Sequence, residues 1–364
     1  MSKAMRFHGG VQDRNVLDFS VNLNPLGVPK CIRELITKCI SKCVYERYPD
    51  YEYRNLRNAI AKFFNIPRDN IVPTNGASEA LSLCILALRP RTIIILDPSY
   101  GDYDLICRAI GANCIHMIMQ ESNGEYVLSN SFIAQIARYS DQRSLIIINS
   151  PNNPTGSVLE WDKIIELSYV ANHSYVVLDE VYAELSDYTS ILNTSLGSLP
   201  ENLIVIKSFT KVFAIPGIRV GFIYTNSTYL YELFESTRPT WNIGSIADCL
   251  LTTALVRFRT ELWNFIEKSR AYIARERNYL VEKLHGLGLT IYSSKTNFLL
   301  LKHKPIDCIE LHKYLLRRFR IAIRPAHTFY GLTRFHSRVS IRSRNENEYL
   351  VEALKHAIKD LKNY

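Results

Sequence analysis

Two hydroxyls, a lysine and an arginine at fixed spacing carry the sharpest chemical signal in this chain. Ser208, Thr210 and Lys211 close an apolar run from Leu203 to Ile206, and Arg219 follows eight residues after the lysine. An amine with hydroxyls and a guanidinium beside it suits a ligand that bears both an aldehyde and a phosphate. The amine can condense with the aldehyde as a Schiff base, while Ser208, Thr210 and Arg219 hold the phosphate dianion. Taken alone, Ser-x-Thr-Lys reads first as a solvated lysine after a strand, so the cofactor reading needs company. Ser174 to Leu178 is a second apolar run, delivering Asp179-Glu180-Val181-Tyr182. Ser144 to Ile148 is a third, delivering Ser150-Pro151-Asn152-Asn153-Pro154-Thr155-Gly156. In open α/β sheets ligands sit outside the carboxyl ends of the strands, so the three deliveries can converge on one crevice.

In this order and spacing, Asn-Pro-Thr-Gly, Asp-Glu-x-Tyr and Ser-x-Thr-Lys with its arginine resemble the fold-type I aminotransferases, which use pyridoxal phosphate. The likeness covers almost the whole chain. It implies an α/β fold in which a mostly parallel seven-stranded sheet lies between helices, beside a smaller α+β domain. It implies that Lys211, Asp179 and Tyr100 are catalytic: the lysine holds the cofactor, the aspartate faces the ring nitrogen and the tyrosine stacks on the ring. Asn153 and Tyr182 would meet the phenolic oxygen, and Gly76, Ala77 and Ser78 would join Ser208, Thr210 and Arg219 at the phosphate. Tyr48, within Arg47-Tyr48-Pro49, would reach the phosphate of a neighbouring subunit, which implies a homodimer. Without the resemblance, Tyr48 is an amphipathic ring at a turn and Tyr100 a core or surface aromatic.

The elements that position these residues alternate along the chain. A strand over Leu17–Val21 precedes a helix opened by Pro29, with Ile32, Leu35, Ile36, Cys39, Ile40 and Cys43 at helical spacing. A helix over about 52–64 leads to Pro73-Thr74-Asn75-Gly76-Ala77-Ser78. There a glycine at a helix start lets backbone N–H groups close on a phosphate, although Ser78 also reads as an ordinary cap. Strands at Thr92–Leu96 and Cys114–Ile118, a turn at Ser122-Asn123-Gly124, and the two motif strands alternate with helices, which argues for a mostly parallel sheet. Long helical patterns run from about 226 to 285, broken near Arg238-Pro239. A smaller α+β segment follows, with strands at Asn297–Leu301, Ile321–Arg324 and Val339–Ile341 and a last helix near Glu346. Residues 46–260 are expected to form the large cofactor-binding domain, and residues 1–45 with 261–364 the small one.

The substrate end rests on anion-holding groups. Arg324 and Arg338, 14 positions apart at strand ends, suit a substrate with a carboxylate and a phosphate. A closer resemblance then enters. His8-Gly9-Gly10, the run Asp18-Phe19-Ser20-Val21-Asn22-Leu23-Asn24-Pro25-Leu26-Gly27, Arg47-Tyr48-Pro49-Asp50, Thr210-Lys211-x-x-Ala-Ile-Pro-Gly and Arg338-Val-x-Ile-Arg-Ser are similar to the L-threonine-O-3-phosphate decarboxylases of cobalamin biosynthesis. That family implies a small phosphorylated amino acid as substrate, with contacts at His8, Gly9, Asn22, Asn153, Arg324 and Arg338. The sister family, the histidinol-phosphate aminotransferases, shares the cofactor motifs and is the alternative. Tyr182 is the residue common among aminotransferases, and Ala326-His327-Thr328-Phe329-Tyr330 departs from the decarboxylases after the first arginine. A third alternative is a catalytically silent protein of the same fold, which would be free to lose Lys211, Asp179, Asn153 and Arg219.

Composition narrows the rest. The net charge of +9 comes from dispersed Lys and Arg with no basic arm, so small anionic ligands explain it better than nucleic acid. No apolar run approaches the roughly 18 residues that span a bilayer, and the start has no secretory h-region. Cytoplasmic residence is expected, with no membrane partner. Eight scattered cysteines without Cys-x-x-Cys read as reduced thiols, mostly buried, and no metal site is expected.

Overall fold

Apolar runs without polar alternation belong to strands covered on both faces, and seven of them build the central sheet of the computed structural model, which describes residues 9–193 and 199–361. In chain order they are β1 (Ile71–Thr74), β2 (Thr92–Asp97), β3 (Asn113–Ile118), β4 (Ser144–Asn149), β5 (Tyr175–Asp179), β6 (Leu203–Ser208) and β7 (Gly221–Thr225). Their spatial order is β1-β7-β6-β5-β4-β2-β3. β7 pairs antiparallel with both β6 and β1, and the remaining pairings are parallel. Alternate residues feed opposite faces: Ile94, Leu96, Ile146 and Ile148 enter one core, Ile93, Ile95, Leu145 and Ile147 the other. The expected α/β class with a mostly parallel seven-stranded sheet is therefore what the chain forms.

The route of the chain decides where a ligand can sit. After β2 it passes outward to β3 and then returns to β4 on the other side of β2, so a crevice opens at the carboxyl ends of β2 and β4. Asp97, Asn149, Asp179 and Ser208 are the last residues of their strands and rim that crevice.

A second sheet is antiparallel and small. Its strands, in spatial order, are Thr290–Ile291, Phe298–Lys302, His336–Ser340 and Arg324–Pro325. Leu17–Asp18 pairs in parallel with Ile321–Ala322, which ties the N-terminal segment to this part of the chain. The helix Arg259–His285 runs between the two regions and buries Leu262, Ile266, Ile273, Leu280 and Leu284 along one stripe.

Local chemistry revises several expectations. The strand expected over Leu17–Val21 stops at Asp18, because the Asp18 carboxylate accepts from the Ser20 N–H at 2.8 Å and turns the backbone out of the ladder. The turn at Ser122-Asn123-Gly124 is the tip of a short hairpin, Gln120–Ser122 with Glu125–Val127, too short to register as alternation. The thiols are not all reduced: Cys39 is bonded to Cys249 and Cys107 to Cys114. A sequence separation of 210 hides the first pair, which forms because the helix Lys30–Ser41 packs on Ser245–Arg257. Cys43 is a free thiol but an exposed one. Among the described residues no helix is long and apolar enough to cross a membrane.

Gly221, on β7 between Ser208 and Thr74, has no room for a side chain. A Cβ there would lie 2.5 Å from the Lys207 carbonyl oxygen and 3.3 Å from the Ala77 nitrogen, both backbone atoms that cannot swing away. Gly221→Ala is expected to destabilise the protein by about 1–3 kcal/mol, seen as a lower denaturation midpoint, because overpacking must displace the β6–β7 ladder.

Candidate active site

The crevice is lined by ten of the residues singled out from the sequence: Ala77, Ser78, Tyr100, Asn153, Asp179, Tyr182, Ser208, Thr210, Lys211 and Arg219, around a cleft of about 190 Å³. Each arrives from the end of a strand or the start of a helix. Lys211 sits in the single turn Phe209–Val212 that follows β6 and is capped by Ser208, whose hydroxyl accepts from the Thr210 N–H. The Ser208 and Thr210 hydroxyls lie 2.9 Å apart. Arg219 returns to them through a left-handed backbone (φ 56°), and its guanidinium lies so close to Gly76 that a Cβ there would be 2.8 Å from Nη2. Gly76 itself has φ 76° and starts the helix Gly76–Leu88. Asn75 occupies the cap position of that helix, which leaves Ser78 facing the cleft instead of capping. Unpaired N–H groups in a first helical turn, two hydroxyls and a guanidinium make a cradle for a phosphate.

Electrostatics at the lysine oppose its charge. Burial, then the Arg338 and Arg219 guanidiniums, lower Lys211 from 10.5 to about 8. That displacement is worth on the order of 3 kcal/mol against the protonated form. Lys207, four residues earlier and fully buried, has the opposite setting. Burial works against its charge too, but Glu184 and Glu180, at 2.5 and 3.2 Å, reverse the balance and hold it above its ordinary value.

At the other end of the cleft, Asp179 is raised by burial, while two donors favour its ionised form: the Tyr103 hydroxyl at 2.7 Å and the Val181 N–H at 3.0 Å. Tyr103 went unassigned from the sequence; its place in the helix that opens just after Tyr100 was the available signal. Asn149 was missed as well. Its side chain accepts from the Asn153 N–H at 2.7 Å and donates to the Asp179 carbonyl at 2.9 Å, so it sets the spacing of two motif residues. The Tyr100 ring meets Tyr103 edge-on at 5.6 Å and its hydroxyl donates to Asp102 at 2.8 Å.

Two of the substrate-side residues meet crevice residues: Arg338, from the smaller sheet, bonds Asn153, and Asn22, from the N-terminal segment, bonds Tyr182. Arg324 and Arg338 stand directly opposite each other on antiparallel strands, both buried. Like charges at such a pair repel, and burial lowers both groups, Arg324 to about 10. Arg338 donates to Asn153 Oδ1 and, at 2.6 Å, to the Ser20 carbonyl; its Nε is buried without a partner. Arg324 donates to Thr328 Oγ1 at 2.8 Å. Asn22 Nδ2 donates to the Tyr182 hydroxyl at 3.4 Å, and Asn22 Oδ1 is a second buried atom without a partner. Gly9 packs against Ser20, where a Cβ would fall 2.3 Å from its carbonyl oxygen. His8 lies outside the described residues. Tyr48 is not in the cleft: it is 75% exposed and stacks on Trp241 at 4.1 Å.

A group with a phosphate, an aldehyde and a basic ring nitrogen fits this set. The glycine cradle leaves space at Arg219, the lysine is already biased towards its neutral form, and a carboxylate waits at the far end.

Known proteins match along nearly the whole chain. The family model for aminotransferase class I and II covers residues 14–354. The adenosylcobalamin biosynthesis bifunctional protein CobDQ of Leptospira interrogans is 30% identical over 94% of this chain, which spans only 39% of that protein's length. The threonine-phosphate decarboxylase of Salmonella typhimurium is 27% identical over 96% of this chain and 93% of its own. The histidinol-phosphate aminotransferase of a Thermoanaerobacter species is 31% identical over 92% and 91%. Among solved structures, the histidinol-phosphate aminotransferase of Clostridium acetobutylicum superposes with a TM-score of 0.84 at 29% identity, covering 95% of this chain and all of that one.

The lysine yields a signed pH prediction. With the folded-state value near 8 and the unfolded one at 10.5, charged Lys211 destabilises the cofactor-free fold below pH 8, and the penalty fades as pH rises towards 10.5. Cofactor-free Lys211→Met is expected to unfold at higher urea than wild type at pH 7, with the gap closing above pH 10; paired denaturation curves check it.

Proposed function

This chain belongs to the aminotransferase class I and II family, whose members are pyridoxal-phosphate-dependent enzymes, and we propose that it decarboxylates L-threonine O-3-phosphate to (R)-1-aminopropan-2-yl phosphate and carbon dioxide in cobalamin biosynthesis. The observation that carries this reading is the seat of the N-terminal run. Asp18 to Asn24, the stretch that favours the decarboxylases over the aminotransferases, is threaded between the anion-binding arginine and the lysine turn. Ser20 accepts from Arg338, Asn22 meets Tyr182, and Asn24 donates from its N–H to the Lys211 carbonyl at 3.2 Å and from Nδ2 to the Val212 carbonyl at 2.8 Å. A relative's own motif thus lies where substrate specificity would be set.

When bound, pyridoxal phosphate supplies an electron sink that stabilises negative charge at the substrate Cα. The chain's residues do the rest. Lys211, biased towards the neutral amine, is the nucleophile for the aldehyde and later the group that moves a proton at Cα. Ser208, Thr210, Arg219 and the Gly76-Ala77-Ser78 turn hold the cofactor phosphate. Burial raises Asp179, and the Tyr103 hydroxyl and Val181 N–H counter that rise in favour of the carboxylate that would pair with the ring nitrogen; Asn153 and Tyr182 would meet the phenolic oxygen and Tyr100 would cover the ring. Arg324 and Arg338 take the substrate's carboxylate and phosphate between them, relieving their mutual repulsion, with His8, Gly9, Asn22 and Asn153 beside them. Holding both anions fixes which bond at Cα stands across the conjugated plane, and decarboxylation requires that bond to be Cα–carboxylate.

The proposal extends to architecture: residues 46–260 as the cofactor-binding domain, residues 1–45 with 261–364 as the substrate-side domain, and a cytoplasmic homodimer. The exposed stack of Tyr48 on Trp241 favours a second subunit, since an aromatic pair so open to water gains by being covered.

Histidinol-phosphate aminotransferase is the second reading, favoured by Tyr182 and by relatives of equal identity. A silent protein of this fold is disfavoured by the complete set of Lys211, Asp179, Asn153 and Arg219. Holoenzyme given L-threonine O-phosphate alone is expected to release carbon dioxide, and given histidinol phosphate with 2-oxoglutarate to form no glutamate. Glutamate without gas would reverse the reading, and neither product, with no visible absorbance lost on Lys211→Ala, would favour the silent protein. Arg338→Lys is expected to lower kcat/KM by about tenfold to a hundredfold, since a lysine cannot reproduce the guanidinium fork.

A further inference from the structure

The segment after Arg324 departs from the decarboxylase pattern, and the proposed function leaves its aromatic residue unused. Tyr330 is half exposed, yet its ring lies flat on the imidazole of His116, centroids 4.1 Å apart and planes within 19°. His116 belongs to β3, on the far edge of the central sheet from β1, so the contact bridges the two sheets. Behind the imidazole stand two carboxylates: Asp97 Oδ2 is 2.6 Å from Nδ1 and Asp104 Oδ1 is 3.0 Å from Nε2. Two carboxylates favour the protonated imidazole, and an aromatic face over an imidazolium is a cation–π arrangement.

Both ends of this contact lead to the active site. On one side, Asp97 ends β2, and its Oδ1 accepts from the Ser99 hydroxyl at 2.9 Å, immediately before Tyr100 in the cleft. On the other, Phe329 is buried under the Arg324 guanidinium at 4.9 Å, and Thr328 accepts from Arg324 Nη2. Gly331, with φ 83°, brings the same segment against Ile118 at the end of β3, where a Cβ would be 3.3 Å from Cδ1. A cavity of about 400 Å³ lies beneath, shared by the turn at Tyr100 and the segment His327–Leu332.

We propose that Tyr330 is a positioning residue for the anion site: stacked on His116, it clasps segment 326–332 to the edge of the central sheet and thereby fixes Arg324 towards the substrate. The inference rests on the proposed function insofar as Arg324 receives an anion of the substrate. It adds a residue that touches neither substrate nor cofactor and acts through Phe329 and Thr328.

The clasp has a defined pH dependence. Hydrogen bonding to Asp97, then the field of Asp97 and Asp104, raises His116 above 6.5 despite partial burial. The groups facing it are Asp97 from β2, Ser99 from the following turn, Asp104 and Arg108 from the helix Asp102–Ala109, and His327 and Tyr330 from the clasped segment; Arg108 is itself paired with Asp104 at 2.8 Å. With a raised folded value, the protonated clasp is intact at lower pH and loosens as pH climbs through that value.

The test uses cofactor-loaded protein and phosphoglycolate, which carries a carboxylate and a phosphate but no amine and so binds without reacting. Calorimetry is expected to give Tyr330→Ala a Kd for phosphoglycolate on the order of tenfold weaker than wild type, the scale of a lost, partly desolvated cation–π contact. The visible absorbance of the bound cofactor should stay unchanged. Tyr330→Phe, which keeps the ring, should bind within about twofold of wild type. His116→Gln should bind as weakly as Tyr330→Ala and lose the alkaline weakening that wild type displays. Tyr330→Ala with wild-type affinity, Tyr330→Phe as weak as Tyr330→Ala, or an alkaline limb that survives His116→Gln overturns the clasp and leaves the proposed function standing. Failure of wild type to bind phosphoglycolate at all removes the doubly anionic substrate, and the clasp with it.

Discussion

A buried amine surrounded by cations is the constraint around which this structure is arranged. Lys207 and Lys211 leave the same strand four residues apart and meet opposite fields. Lys207 is neutralised by Glu180 and Glu184, locks β5 to β6 beneath the cleft, and keeps its proton. Lys211 faces Arg338 and Arg219, finds no compensating carboxylate among the described residues, and is pushed to about 8. The fold therefore separates a structural cation from a reactive amine by the placement of two glutamates. The positive charge of Arg219 and Arg338 beside Lys211 is an unfavourable arrangement that anions relieve, so binding of phosphate and carboxylate groups would offset a cost already built into the fold.

The sheet topology makes that concentration of charge possible. Parallel strands deliver their last residues to one edge, and the reversal of strand order at β2 and β4 leaves a gap there. Short polar links then set spacing within the gap: Asn149 to Asn153 and Asp179, Tyr103 to Asp179, Asn22 to Tyr182. The smaller sheet brings its arginines in from outside, and the Asp18–Asn24 run fills the space between them and Lys211. On the proposed reading, cofactor chemistry and substrate choice sit on different pieces of chain, in keeping with similar relatives that bear decarboxylase and aminotransferase names.

What could be read in the sequence was what sequence distance preserves. Ser208, Thr210, Lys211 and Arg219 are local to one strand end, and apolar runs at 144, 174 and 203 identified strands covered on both faces. The pairing of Arg324 with Arg338 depends on antiparallel register, which no spacing reveals; the sequence offered only an expectation that both lie at strand ends, and Arg338 stands in the middle of His336–Ser340. Tyr103 was visible only as a tyrosine three residues after Tyr100, and its bond to Asp179 spans 76 residues. The disulfide between Cys39 and Cys249 and the stack of Tyr330 on His116 are products of tertiary packing alone. Short elements were also lost, as with the strand that ends at Asp18, where one carboxylate captures the backbone.

The central claim is that one lysine among those of the chain is chemically set apart by its surroundings. Borohydride reduction of the pyridoxal-phosphate-loaded protein, followed by peptide mass mapping, tests it most directly. The account predicts a single phosphopyridoxyl adduct, on Lys211, with Lys207 unmodified. An adduct on Lys207 or distributed over surface lysines, with Lys211 unmodified, would contradict it.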